Sequence, residues 1–323
     1  MASSRNKLST DSLTQALNEC LRKTLTPGKR IAIAFSGGLD SSVLLHLAAR
    51  HGAGVQGLSA IHVNHGLSPH AEAWADFCRA RCAEFNIPFA LAKVTVPQDA
   101  PEGLEAAARR LRYEVFSALD VDHVLLAHHA NDQAETLLFN LMRGAGVLGA
   151  AGIPATSTGG RYLRPLLGSA RNELEAYASA HELHWIEDES NHDVDFSRNF
   201  IRHEVLPILA SRFPAAALNL ARSADYFSEA QEMLDEMARF DLGGVANFPV
   251  PIVQLTQMSE ARARNALRYL ISAHGLQAPN GKRLSEALRQ FLEAGPDKHP
   301  SLDLPAYRLY RSRGMVLLET AYS

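Results

Sequence analysis

Cysteine is scarce in this chain of 323 residues, which contains three cysteines, at positions 20, 78 and 82. An odd number of cysteines, in a chain whose first residues lack the apolar core of a signal peptide, argues against a disulfide framework. Cys78 and Cys82 are four residues apart, so the CxxC spacing of many redox and metal motifs is absent. We therefore expect reduced thiols and a cytoplasmic protein.

Long hydrophobic runs and a strong net charge are also lacking. No apolar run approaches the roughly 20 residues of a membrane span, so we expect no membrane partner. The formal net charge is −3 at pH 7, so any argument for nucleic-acid binding must be local. A length of 323 residues is typical of two domains, and 46% hydrophobic residues are enough for a sizeable core.

Strands and helices alternate in the first two-thirds of the chain. A leading helix begins at the capping residues 9–11. The alternation predicts an α/β fold with a doubly wound parallel sheet, and it places a ligand at the carboxyl edge of that sheet. The predicted strands cover 31–35, 58–63, 89–96 and 123–127, and the helices that follow the later strands cover 73–85, 104–119 and 132–142.

The character of the sequence changes after Pro214. One long helix is predicted over 215–240, further helices lie around 259–293, and strand-like residues occur near 307–318. Glycines and prolines separate the long helix from the rest. We predict a first domain over residues 1–212, and over 213–323 a linker helix with a second, smaller, mainly helical domain.

A glycine turn follows the first predicted strand. Two glycines let the backbone approach a phosphate closely, and the N-terminus of the next helix favours an anion. No lysine follows the turn, so it is not a Walker A loop, and a loop without its own cation suits pyrophosphate held with a metal ion. Asp40 is the natural carboxylate for that metal. The predicted phosphate-binding residues are Ser36, Gly37, Gly38, Leu39, Asp40, Ser41 and Ser42.

A second polar cluster, His128, His129, Asn131 and Asp132, follows the fourth predicted strand and precedes an amphipathic helix. Asp132 and Glu135 fit a capping box, which offers a purely structural explanation. Capping does not explain two adjacent histidines beside Asn and Asp at one strand end, so we favour a functional role. If the fourth strand neighbours the first, this cluster lies beside the glycine turn.

The glycine turn resembles the SGGxDS loop of the ATP-pyrophosphatase (PP-loop) superfamily, whose members split ATP into AMP and pyrophosphate. Residues 128–149 are similar to the signature of one family within it, the tRNA(Ile)-lysidine synthetases. Asn131 stands where that family usually has the first Asp of a pair, so we place the essential carboxylate at Asp132. The resemblance implies an adenine nucleotide alpha-hydrolase-like variant of the Rossmann fold. Further similar segments are 61–67, 104–113, 164–167, 185–191 and 198–202.

The resemblance implies a ligase that joins L-lysine to C2 of the wobble cytidine in the CAU anticodon of tRNA(Ile). ATP would convert the C2 oxygen to an adenylate with release of pyrophosphate, and the deprotonated ε-amine of lysine would then displace AMP. The implied cofactors are ATP and Mg²⁺, with Asp40 and Asp132 as metal ligands. Asp132 alternatively orients the lysine amine, and the sequence leaves both roles open.

Basic side chains supply the other implied site residues. Arg109 and Arg112 would stabilise developing phosphate charge or grip the substrate, whereas Glu105, four residues before Arg109, also permits a simple surface ion pair. Arg198 and Arg202 are expected to contact tRNA or brace the site.

A local excess of positive charge marks residues 261–313, which contain ten Lys or Arg and four acidic residues. Composition alone leaves a phosphate-binding face and a solvated helical surface equally well supported. The resemblance favours docking of tRNA by this second domain, with the first domain reading the anticodon loop as splayed single strand.

Two alternative functions are compatible with the same fold. A tRNA 2-thiocytidine transferase also activates cytidine C2 with ATP, but the related enzymes use a CxxC pair that this sequence lacks. A non-catalytic RNA-binding relic is disfavoured by the intact glycine turn and by Asp132. The sequence leaves the oligomeric state open between monomer and homodimer.

Overall fold

A computed structural model describes residues 2–320 except 25, 27, 52–56, 102, 189–196, 246 and 296, with side chains from residue 11 onward. The chain divides into two compact units, Met1–Ser228 and Glu229–Ser323. The division falls within a helix, Ala216–Asp241, that the sequence assigns to the linker after residue 212. Among the described residues, no helix combines the length and apolarity that crossing a membrane requires.

The first unit is built on a five-stranded sheet in the order β3-β2-β1-β4-β5, and all its strands run parallel. β1 pairs with β2 on one side and with β4 on the other, so the strand order reverses between β1 and β4. A crevice at such a reversal is where open α/β sheets bind ligands. The predicted doubly wound parallel sheet is confirmed. The strands are β1 Ile31–Ala34, β2 Leu58–Asn64, β3 Phe89–Lys93, β4 His123–Leu125 and β5 Tyr162–Leu163.

Helices cover both faces of this sheet. Ile31 and Ile33 face one side and Ala32 the other, as side chains alternate along a strand. The first face packs on α1, α2 and α7, where Tyr177 is fully buried, and the second packs on α4 through Phe116. The helices are α1 Ala2–Thr24, α2 Leu39–His51, α3 Ala71–Glu84, α4 Leu104–Ala118, α5 Ala130–Met142, α6 Val147–Ala150, α7 Arg171–Ala180, α8 Ser197–Phe200, α9 Leu206–Arg212 and α10 Ala216–Asp241, with a π-helical turn Ile201–Val205 between α8 and α9.

The structure corrects several predicted elements of this unit. β3 ends at Lys93 rather than at residue 96, and α5 begins at Ala130 rather than at Asp132. The two-residue strand β5 and the four-residue helix α6 were not predicted. Both lie in a stretch rich in glycine and proline, where elements this short carry no measurable hydrophobic period.

The second unit contains a four-stranded antiparallel sheet in the order β6-β9-β8-β7. The strand-like residues near 307–318 are confirmed as a hairpin of β8 and β9, but β6 and β7 were not predicted, so the unit is less helical than expected. Its core is formed by side chains such as Leu267, Leu288 and Phe291, which are fully buried. The elements are β6 Val250–Pro251, α11 Ile252–Thr256, α12 Glu260–Ala273, α13 Gly281–Glu293, β7 Ser301–Leu304, β8 Tyr307–Ser312 and β9 Met315–Thr320.

Candidate active site

The glycine turn connects the end of β1 to the first residue of α2. Gly37 has a φ of +89°, a conformation that side chains with a Cβ rarely adopt. The serine hydroxyls close the turn: Ser41 Oγ lies 3.0 Å from Ser36 Oγ and 3.0 Å from the carbonyl oxygen of Gly38. Ser42 Oγ donates to the carbonyl oxygen of Gly37 at 3.3 Å. The turn is therefore held by its own side chains before any phosphate binds.

Asp40 joins this turn to the loop after β4. Its Oδ2 lies 3.5 Å from Nε2 of His129, whose side chain is only 2% exposed. Burial works to raise the pKa of the Asp40 carboxyl, but the contact with His129 and the charges of Arg171 and Arg202 outweigh it, so the net shift is downward. The carboxylate is thus kept ionised. Its Oδ1 is buried and has no hydrogen-bond partner among the described residues.

His129 also caps the helix α5. The ring Nδ1 of His129 accepts from the backbone N–H of Asn131 at 3.2 Å. The backbone N–H of His129 donates to Asp132 Oδ2 at 2.9 Å. The capping box therefore pairs His129 with Asp132, and the predicted pairing of Asp132 with Glu135 is wrong. The reason is that α5 begins two residues earlier than expected, which moves Asp132 to the third helical position. Asp132 consequently has one oxygen committed to the fold.

Glu135 and Arg202 form a bidentate ion pair that the sequence prediction did not include in the site. Arg202 Nε and Nη2 lie 2.7 and 2.8 Å from the two carboxylate oxygens of Glu135, and Nη2 is 3.5 Å from Asp132 Oδ1. Burial raises the pKa of Glu135, although the guanidinium opposes that shift. Arg202 therefore braces the polar side chains at the start of α5, His129, Asp132 and Glu135 (the α5 cluster), which is one of the two roles expected for it. The signal that identifies Glu135 is its place one helical turn after Asp132.

Arg109 and Arg112 lie on α4 and face different partners. Arg112 Nε is 3.4 Å from Nε2 of His65, at the carboxyl end of β2. The guanidinium of Arg109 lies 5.1 Å from the centre of the Tyr113 ring, and among the described residues it makes no ion pair with Glu105. Arg109 and Glu105 are both exposed, so the choice between a surface role and a site role for Arg109 stays a prediction.

His128 lies between β4 and α5, directly before His129 in the chain. Burial lowers the pKa of His128 to about 4, with Asp132 opposing the shift and the positive charges of Arg164 and Arg109 reinforcing it. Its Nδ1 is buried without a partner among the described residues. The structure thus brings Asp40 and Asp132 together around His129, whereas Arg112 is held against His65 and Arg109 lies over the Tyr113 ring.

The basic stretch of the second unit divides into paired and unpaired side chains. Four of its ten cations form ion pairs within the unit: Arg262 with Asp241, Arg264 with Glu260, Arg289 with Glu286 and Glu293, and Arg308 with Asp303. Arg283 and Arg311 donate to backbone carbonyls. Of the ten cations, the four that have neither an ion pair nor a backbone acceptor among the described residues are Arg268, Lys282, Lys298 and Arg313.

Comparison with known families matches both units. Residues 8–209 match the PP-loop domain, and residues 251–317 match the TilS substrate binding domain. The chain is 44% identical over 292 residues to a tRNA(Ile)-lysidine synthase of Aromatoleum aromaticum, covering 90% of this chain and 69% of the relative. It is 38% identical over 323 residues to the tRNA(Ile)-lysidine synthase of Nitrosomonas europaea, covering 98% of this chain and 70% of the relative.

A solved structure resembles the chain in fold. The U34-tRNA thiolase NcsA of Methanococcus maripaludis superposes with a TM-score of 0.58 at 17% identity, covering 69% of this chain and 80% of that one. At this identity the likeness concerns the fold alone.

Proposed function

Because this chain belongs to the tRNA(Ile)-lysidine synthase family, we propose that it ligates L-lysine to C2 of the wobble cytidine of tRNA(Ile) at the expense of ATP. The observation that carries the proposal is the order of the two family matches along one chain, a PP-loop domain followed by a TilS substrate binding domain. The reaction forms an adenylated cytidine and releases pyrophosphate, and attack by the ε-amine then releases AMP.

The turn Ser36–Ser42 is the proposed phosphate site. Ser36, Ser41 and Ser42 direct their hydroxyls into the turn itself, so the backbone N–H groups at the start of α2 are the donors left for phosphate oxygens. The positive end of the helix dipole adds to this preference for an anion. Gly37 and Gly38 allow the phosphates to approach the backbone.

Asp40 fits a role as ligand to Mg²⁺. Its Oδ1 is a buried oxygen without a partner among the described residues, and carboxylate oxygen is what this ion prefers. Among the described residues no group of three or more His, Cys, Asp or Glu side chains could hold a metal. A magnesium ion here would therefore depend on phosphate oxygens and water for most of its shell, which is usual for Mg²⁺ in phosphate-transferring enzymes. When bound, the ion would offset the negative charge of pyrophosphate.

Asp132 is better suited to the lysine amine than to the metal. One of its oxygens accepts a hydrogen bond from the backbone N–H of His129, and the other lies 3.5 Å from the Arg202 guanidinium. A neighbouring cation disfavours Mg²⁺, whereas the attacking amine must be neutral. The Asp132 carboxylate can hold the amine by a hydrogen bond and accept the proton that lysine, with an unperturbed pKa of about 10.4, must lose before it attacks.

Arg109 is the proposed partner of charge that develops on the α-phosphate, because the family resemblance implies that role and its guanidinium is exposed beside the Tyr113 ring. Arg112, held by His65, is proposed to grip the substrate from the β2 side of the crevice. The unpaired cations of the second unit are proposed to contact tRNA phosphates.

The sulfur-transferring alternative is disfavoured by the state of the thiols. Burial raises the pKa of Cys78 to about 12 and that of Cys82 to about 11, so neither supplies a thiolate at neutral pH. Cys20 is also shifted upward by burial, against the opposing charge of Lys23.

The test is transfer of labelled lysine to an unmodified tRNA(Ile) transcript with a CAU anticodon, in the presence of ATP and Mg²⁺. The control is the same transcript with the wobble cytidine replaced by uridine. Label on the cytidine transcript alone supports the substrate, the reaction and the specificity together. Absence of label from a protein that binds ATP would reject lysine ligation and leave the nucleotide site standing.

A further inference from the structure

In the segment after α7, over its described residues 181–188, Ile186 contacts the back of the glycine turn. The backbone N–H of Ile186 donates to the carbonyl oxygen of Gly37 at 2.8 Å. This carbonyl also accepts from Ser42 Oγ at 3.3 Å, so both of its lone pairs are used. No other residue of the segment 181–188 donates a backbone hydrogen bond to the turn.

The side chain of Ile186 fills the space beside Gly37. A Cβ added at Gly37 would lie 2.7 Å from Ile186 Cδ1, 3.0 Å from Cys78 Sγ and 3.5 Å from Phe77 Cδ1. Gly37 therefore lies between two neighbours. One is α3, which carries Phe77 and Cys78, and the other is Ile186 in the segment after α7. The neighbouring Gly38 is also close, since a Cβ there would lie 3.9 Å from the carbonyl oxygen of Ile186.

This contact fixes the orientation of one peptide plane. In a trans peptide the carbonyl and the following N–H point in opposite directions. Because the carbonyl of Gly37 is held by Ile186 and Ser42, the N–H of Gly38 must point away from Ile186. It donates a long hydrogen bond of 3.4 Å to Ser36 Oγ, which a phosphate oxygen at a shorter distance would replace. A reversed peptide would instead present a carbonyl oxygen to the phosphates and repel them.

We propose that Ile186 is a positioning residue for ATP: it locks the Gly37–Gly38 peptide with the Gly38 N–H turned toward the phosphates. It does so with its backbone N–H and with the side chain that holds Gly37 in place. The inference rests on the proposed use of ATP at this turn and adds a residue that lies outside the loop and outside the α5 cluster.

Three variants separate the two contributions of Ile186. Ile186→Val keeps the N–H and most of the side chain and serves as the matched control. Ile186→Ala keeps the N–H but removes the wedge, and Ile186→Pro removes the donor. ATP affinity is measured by calorimetry, and steady-state KM values are measured separately for ATP and for lysine, with melting temperature as the check on folding.

We expect Ile186→Ala and Ile186→Pro to raise the dissociation constant and the KM for ATP by about three- to tenfold, which corresponds to losing the one hydrogen bond from the Gly38 N–H to a phosphate oxygen. The KM for lysine stays within twofold, and Ile186→Val resembles the wild type. An ATP affinity unchanged in both variants would overturn the proposal, as would equal increases in both KM values. If the wild-type protein binds ATP but transfers no lysine, the proposed function fails while the ATP affinities still test Ile186.

Discussion

At the scale of single residues, the site depends on how each carboxylate divides its two oxygens. Asp40 gives one oxygen to His129 and keeps the other buried and free of described partners. Asp132 gives one oxygen to the cap of α5, and Glu135 gives both to Arg202. The three acids are therefore not interchangeable, because only Asp40 presents an uncommitted buried oxygen beside the glycine turn.

Replacing Asp40 by Asn tests that distinction. We expect Asp40→Asn to lower lysine transfer by at least about 100-fold, because the amide cannot balance a magnesium ion or its phosphate partners. The melting temperature should change little, since Asn has nearly the same shape. Asp120→Asn is the control, because Asp120 is 87% exposed and pairs with Arg30 at the surface. Near-normal turnover in Asp40→Asn would remove this residue from the mechanism.

At the scale of elements, the strand–turn–helix of β1 and α2 combines a positive φ with close packing at Gly37. Gly28, just before β1, has almost the same φ, +88°, but a Cβ added there would meet no atom within 4 Å. An alanine at Gly28 would suffer only backbone strain, whereas an alanine at Gly37 would suffer both backbone strain and steric overlap.

We expect Gly37→Ala to abolish ATP binding, because its new methyl group would overlap Ile186 and Cys78 and displace the turn. Gly28→Ala should retain ATP affinity. The strained φ of the new alanine should lower the free energy of unfolding by about 1 kcal/mol. Calorimetric titration with ATP and chemical denaturation measure the two quantities. Equal effects on ATP affinity would mean that space around Gly37 is unimportant.

The packing of α2 on α7 contains a buried histidine, His46, whose Nδ1 lies 2.9 Å from the hydroxyl oxygen of Tyr177. Burial lowers the pKa of His46 to about 4, and the neighbouring His181, Arg50 and His51 add to that shift. The ring also contacts Phe85 edge-on. In the unfolded chain the pKa returns to about 6.5.

Stability should therefore decrease with acidity in a defined range. Between pH 6.5 and about 4 the unfolded state binds a proton at His46 that the folded state does not, so the free energy of unfolding falls as the pH falls. We expect a loss of about 1–3 kcal/mol over this range from His46. Denaturation at several pH values should show a shallower slope for His46→Gln than for His70→Gln, the exposed control. Equal slopes would show that His46 does not contribute.

At the scale of the whole molecule, the two units carry different family matches and different electrostatics. The PP-loop match lies in the first unit and the TilS substrate binding match lies in the second. In the second unit, ion pairing neutralises several of the arginines that composition counts as free. The net excess of charge is thus a poor guide to where phosphates bind, and the unpaired cations are a better one.

A pair of double variants tests this view. Lys282→Gln with Lys298→Gln removes two unpaired cations, whereas Arg289→Gln with Arg308→Gln removes two that are paired with acids. Both change the net charge equally. We expect the lysine variant to weaken tRNA binding while leaving ATP affinity unchanged. The slope of the logarithm of the tRNA association constant against the logarithm of salt concentration should decrease in magnitude by about one per lost phosphate contact. Equal losses in both variants would indicate that only net charge matters.

Much of the fold was predictable because its signals are local. Buried runs such as 31–35 and 123–127 and the amphipathic period of α4 and α5 predicted the parallel sheet and its helices. Short elements were missed: β5, β6 and β7 have two to four residues each. Such strands are stabilised by pairing with distant neighbours rather than by their own sequence.

The sequence alone specified the chemistry available: a glycine turn without a lysine, an acid within it, and a second polar cluster at another strand end. It also determined which residues carry the family resemblance, because motifs are contiguous. Three contacts became known from the folded chain: β4 lies beside β1, His129 bridges Asp40 to the cap of α5, and Ile186 holds Gly37. These contacts join residues that are 89 to 149 positions apart, and the hydrophobic pattern of a chain specifies which residues are buried without specifying which distant residues meet.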